Sequence, residues 1–99
     1  MTTQTYRIAH IREQGQDMVI VPLDGARFHG LTPQRKGQVK AALQRCSRSA
    51  GLAGEVCLVW THARRFNFIA PRPWHPFFRR LSMAAVQRII NKKLTCQGF

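Results

Sequence analysis

The chain has 99 residues, which suits one small basic domain spanning 1–99 and leaves no room for two. A hydrophobic fraction of 44% excludes disorder caused by lack of core material, and the longest apolar run, Val56 to Trp60, is too short to span a membrane. Sixteen Lys and Arg against four acidic residues give a formal net charge of +12, which excludes a surface of balanced charge.

Tyr6 to Ile11 alternates in the manner of a strand, with Tyr6, Ile8 and His10 on one side and Arg7, Ala9 and Ile11 on the other. Glu13-Gln14-Gly15-Gln16-Asp17 is a polar turn with a glycine free to take positive φ, and Met18 to Val21 is a second strand that Pro22 closes. Asp24 to Leu31 reads as a loop. A helix follows, with Thr32 as N-cap and Pro33 at the first helical position, where its missing N–H is no loss. Val39, Ala42, Leu43, Cys46 and Ala50 form its buried stripe, and Gly51 suits the left-handed position after its end. Gly37 lies inside this helix and costs about 1 kcal/mol relative to alanine.

The unbroken apolar run Val56 to Trp60 reads as a well-buried central strand. Thr61 to Arg64 turns the chain, and Phe66, Phe68 and Ala70 alternate with Arg65, Asn67 and Ile69 in another strand that Pro71 and Pro73 stop. A last helix is expected from between Pro73 and Phe77 to about Leu94, with Phe78, Leu81, Ala85 and Ile89 as its stripe and Val86, Ile90 and Leu94 beside it. The resulting order is ββαββα, and the simplest α+β architecture is a four-stranded, mainly antiparallel sheet with two helices on one face.

Cys46, Cys57 and Cys96 are odd in number and show no Cys-x-x-Cys spacing, and MTTQTYRIAH has no apolar stretch of the signal-peptide kind. Free thiols in a reducing cytoplasm are therefore expected, with Cys46 and Cys57 as small core hydrophobes.

Charge is the strongest clue to function. After Glu55 there is no carboxylate side chain, while eight basic residues follow. A compact state that repels itself in this way is best tolerated beside a polyanion. Arginine outnumbers lysine twelve to four, and its planar fork matches phosphate better than a lysine point charge does. The segment His62 to Arg80 interleaves five arginines with Phe66, Phe68, Trp74, Phe77 and Phe78, a composition suited to phosphate contacts and base stacking. Trp74, between prolines, is the ring expected to stay partly exposed. Arg64, Arg65, Arg72, Trp74, Arg79 and Arg80 form one candidate nucleic-acid patch. Lys36, Lys40, Arg45 and Arg48, on a helix without acidic residues, form a second that suits a phosphate backbone.

Within that segment RRFNFI, Arg64 to Ile69, partly resembles the RNP1 strand of RRM domains through Arg64, Phe66, Phe68 and Ile69. It departs from that pattern at Arg65, Asn67 and Pro71, the companion strand lacks its aromatic, and the chain is not assigned to that family. The resemblance implies that a sheet face carrying Phe66 and Phe68 would bind bases if it were open.

The expected function is that of a non-enzymatic nucleic-acid-binding or accessory domain, with RNA or DNA as partner, no catalytic residue assigned, and no cofactor, metal or membrane association. One alternative is a module that docks on an acidic protein, with Trp74 to Phe78 as anchor. Another is a His-dependent ribonuclease toxin using His62 or His75 beside Arg64, Arg65 or Arg79. Scattered carboxylates and the absence of finger spacing speak against two-metal chemistry and zinc.

Overall fold

The computed structural model describes residues 3–97. β1 (Thr3–Glu13) and β2 (Gln16–Pro22) form a hairpin whose turn residues, Gln14 and Gly15, both have positive φ (50° and 77°). That is the primed two-residue turn whose twist matches the strands it joins. A short helix α1 (Gly25–Phe28) and the long α2 (Pro33–Ser49) lead to β3 (Glu55–His62), which turns back as β4 (Arg65–Ile69). A 3₁₀ turn (Arg72–Trp74), α3 (His75–Arg79) and α4 (Met83–Ile89) precede a last strand, β5 (Lys92–Gln97).

Several local readings hold. Thr32 Oγ1 accepts from the Arg35 amide at 3.1 Å and Pro33 opens α2. Gly51 follows the helix with φ +79°, and residues 56–60 are buried without interruption. A Cβ at Gly37 would meet nothing within 4 Å, so close packing is not the reason for that glycine.

The architecture differs from expectation in three ways. There is one mixed sheet of five strands, in the order β4-β3-β2-β1-β5, where four mainly antiparallel strands were expected. β2 and β3 run parallel, joined by the α1–α2 crossover, and the other pairs are antiparallel. Secondly, the helices cover both faces. α1 and α2 lie over Ile8, Val19, Val21, Val56, Leu58 and Trp60, while α3 and α4 lie over Ala9, Met18, Ile20, Cys57 and Val59. The cause is visible in β2 and β3, which are apolar at successive residues and so need cover on each side. Phe66 and Phe68 therefore do not form an open binding face. Both pack into the layer under α3, with Phe68 stacked on Phe78 at 5.4 Å.

Thirdly, the expected last helix is broken. Ser82 Oγ caps a new start by accepting from the Ala85 amide at 3.1 Å, and Ile90 is already extended (ψ 128°). Leu94 and Cys96 are then buried at strand spacing, between exposed Lys93, Thr95 and Gln97.

β1 is shared between two partners. Its residues 3–8 pair with β5 and residues 9–13 pair with β2. Side-chain amides complete the ladders where strands run past their neighbours. Asn91 accepts from the His10 amide at 2.8 Å and donates to the His10 carbonyl at 2.9 Å. Gln44, on α2, accepts from the Val56 amide at 2.7 Å and donates to the Gly54 carbonyl at 3.1 Å.

Cys46 and Cys96 form a disulfide with Cα atoms 5.8 Å apart, so these thiols are not free as the sequence suggested. Their odd count hid the pairing. Cys57 is the free thiol among the described residues; burial, with Glu55 adding to it, pushes its pKa up to about 12. No described helix is long and apolar enough to cross a membrane.

The bridge closes a separation of 50 residues, for which loop entropy gives a stabilisation of about 4 kcal/mol. Replacing both cysteines by serine should lower the urea midpoint accordingly, and reductant should do the same to the wild type. Equal midpoints with and without reductant would show that the bridge does not form. Asn91→Asp, which keeps the acceptor and removes the donor, should cost about 1–3 kcal/mol in the same assay; an unchanged midpoint would deny the amide its ladder role.

Candidate functional site

The site is built at the end of the sheet where β2 and β3 finish. Asp24 caps α1, its Oδ1 accepting from the Ala26 amide at 3.0 Å. Gly25 then lies directly on the backbone of β3, where a Cβ would clash with the Thr61 carbonyl oxygen. No other residue allows α1 so close to the strand, and that proximity carries His29, at the end of α1, to the last residues of β3. Trp60 Nε1–H donates to His29 Nδ1 at 3.1 Å. The His29 and His62 rings stack with centroids 3.7 Å apart and planes 4° from parallel. Phe28 meets Trp60 edge-on at 4.8 Å, and the Lys36 ammonium sits 5.3 Å from the Trp60 centroid and 5.7 Å from that of Phe28.

The β3–β4 turn completes the wall. His62 pairs with Arg65 across it, and the two turn residues, Ala63 and Arg64, have φ of 51° and 65°. Neither is glycine, so the left-handed backbone costs about 1 kcal/mol or more at each. His29, His62, Ala63, Arg65 and Asn67 line a recess of about 500 Å³. Every ionisable side chain in that lining is basic. The four carboxylates lie elsewhere: Asp17 pairs with Arg12, Glu55 pairs with Lys40, Asp24 caps α1, and Glu13 lines a second cavity.

The Trp60 bond fixes the state of His29. An imidazole nitrogen that accepts carries no proton, so the His29 proton resides on Nε2 and the ring is neutral. Its pKa is held below the ordinary imidazole value of 6.5 by partial burial, then by the neighbouring His62 and Lys36. Because the unfolded chain binds this proton more readily, the stability tied to His29 is complete above pH 6.5 and is lost as pH falls towards the folded value.

The sequence-derived patches distribute over several surfaces. Arg64 and Arg65 stand exposed at this recess, with Lys36 behind it. Lys40 is turned aside to Glu55 at 3.1 Å, while Arg45 and Arg48 are exposed on α2. Arg72, Trp74, Arg79 and Arg80 belong to the α3 side. Trp74 and Arg80 line the second cavity, beside the β1–β2 turn at the far end of the sheet. Among the histidines considered for catalysis, His75 is occupied internally, its Nε2 3.0 Å from the Ala70 carbonyl and its ring against Phe68. His29 was not singled out by sequence. Its pairing with His62 is tertiary, and no local pattern signals it.

Among the described residues no group of three or more His, Cys, Asp or Glu is placed to hold a metal. Comparison with protein-family models, curated proteins and solved structures returned no significant match. The geometry must therefore carry the functional reading.

Trp60→Phe removes the donor that requires a neutral His29 and should raise that residue's titration midpoint in an NMR pH series. A midpoint equal to the wild type would show that the Trp60 bond does not hold the ring neutral.

Proposed function

We propose that this protein binds nucleic acid through its phosphates, with the His29–His62 recess as the focus and the exposed arginines as the surrounding field. The observation that supports it is a recess whose ionisable groups are all basic, in a chain of net charge +12 where only Arg12 and Lys40 pair with a carboxylate among the described residues. Phosphate oxygens are acceptors only. The recess offers donors to match: the Nε2–H of His29, the Arg65 fork and, at its rim, Arg64. The outward Arg45 and Arg48 and the α3-side Arg72, Arg79 and Arg80 add charge that steers a polyanion without fixing its sequence. Since both sheet faces are covered, binding uses the ends and rims of the sheet. No enzymatic step is needed for this role.

The test is fluorescence anisotropy with one labelled sequence offered as single-stranded RNA, single-stranded DNA and duplex DNA, across a salt titration. Binding should persist near 150 mM salt. The double variant Arg64→Glu, Arg65→Glu should weaken it for all sequences and reduce the salt slope by roughly one for each phosphate that is no longer neutralised. Wild-type binding by that variant would refute the patch. Weak binding that ignores nucleic-acid form and vanishes with salt would reflect basicity alone and would favour the acidic-protein partner.

The stacked imidazoles favour a second reading, metal-independent RNA cleavage, in which His62 removes the 2′-hydroxyl proton, the 2′-oxygen attacks phosphorus and expels the 5′-oxygen, which takes a proton from solvent, and Arg65 stabilises the negative charge on the non-bridging oxygens. RNA left intact after long incubation with the protein would exclude it. RNA cut by the wild type and spared by His62→Ala would replace the binding role with an enzymatic one. The Cys46–Cys96 disulfide fits an oxidising compartment better than the reducing cytoplasm inferred from cysteine spacing.

A further inference from the structure

The second cavity, at the end of the sheet away from the histidines, has a different chemistry. Its volume is about 610 Å³, within the range of small-molecule sites, and its lining combines Trp74, Phe77 and Met18 with Glu13, Gln14 and Arg80. Trp74 and Phe77 are half-buried and Arg80 is exposed. The lining is thus partly aromatic and apolar and partly polar, and it carries a single cation. Glu13 is the informative member. The other three carboxylates are engaged within the chain, two in ion pairs and one in a helix cap. Glu13 makes no such contact among the described residues and is spent on this lining.

A carboxylate in the wall disfavours phosphate, so the occupant is not a second phosphate group. The lining suits a planar ring that packs on the aromatic side chains and turns hydrogen-bond donors to the carboxylate. We propose that this cavity receives an unpaired guanine base of the bound nucleic acid. The ring lies against the Trp74–Phe77 wall, and Glu13 accepts from guanine N1–H and the N2 amino group. Arg80 reaches the adjoining phosphate. Guanine is selected because it alone of the four RNA bases presents two adjacent donors on its pairing edge, matching the two oxygens of a carboxylate. Adenine and cytosine place a ring-nitrogen lone pair at the corresponding position, and uracil flanks its one donor with carbonyl oxygens, so each turns at least one acceptor towards Glu13. Stacking supplies affinity for any base, and the carboxylate supplies the choice.

This inference rests on the nucleic-acid reading, and the experiment separates the two. Binding is measured by anisotropy at 150 mM salt for a labelled oligouridine of about a dozen nucleotides and for three versions carrying one central G, A or C. The guanine version should bind about tenfold more tightly than the others, the scale of one good two-bond contact to a base edge. Glu13→Gln should abolish that preference and leave affinity for plain oligouridine equal or slightly higher, since a negative charge is removed. Trp74→Ala should weaken all four. Glu13 is a side chain near a turn, so its variant keeps the test valid if Trp74→Ala does not fold. Equal affinity of the wild type for all four oligonucleotides would overturn the guanine site and leave the phosphate reading standing. Absence of binding to any of them would overturn both.

Discussion

The constraint on which this structure depends is the two-sided burial of β2 and β3. Met18 to Val21 and Val56 to Trp60 are almost wholly shielded from solvent, and successive side chains point to opposite faces. Neither face can then remain wet. The crossover from β2 to β3 covers one face with α1 and α2, and the passage from β4 to β5 covers the other with α3 and α4. Once both are closed, polar chemistry is confined to the rims and ends of the sheet. The histidine recess and the Trp74 cavity lie at opposite ends of this kind.

Charge is organised by the same constraint. A core with no room for ionised groups sends the cations outward, and scarce carboxylates leave most of them unneutralised. The few acids that exist have defined work: Asp24 orders α1, Asp17 and Glu55 each hold one cation, and Glu13 faces a cavity. The histidine recess is the point where this imbalance becomes local. Its basic groups come from α1, β3 and β4, and their convergence relies on a glycine lying against the β3 backbone.

Features that depend on a few adjacent residues were legible in the sequence. Thr32-Pro33 marked the start of α2, Gly51 its end, Gly15 the first hairpin and Val56 to Trp60 the central strand. β5 was not legible, because Leu94 satisfies a helical spacing from Ile90 and a strand spacing with Cys96 equally well. Only the cap at Ser82, the extended Ile90 and the open edge of β1 decide between them. The unbroken apolar run Val56 to Trp60 announced burial on both sides, but the parallel β2–β3 pairing that sends α1 and α2 across one face is tertiary, and local periodicity does not encode it. The candidate site was half legible: Arg64 and Arg65 stood out by type, but the partnership of His29 with His62 arises only when α1 docks on β3.

The disulfide has a consequence for assembly. Cys46 lies in α2 and Cys96 in β5, so the bridge closes a covalent ring that contains β3, β4, α3 and α4. In the sheet the N-terminal hairpin sits inside that ring's strands, with β3 beside β2 and β5 beside β1. The C-terminal half is thus a clasp around a central insert made first during synthesis. In the folded chain its two sulfurs meet where β5 pairs with β1 and α2 lies over the same face of the sheet. Oxidation therefore acts as a latch that ties the edge strand β5, and through it β1, to the helix over β2 and β3.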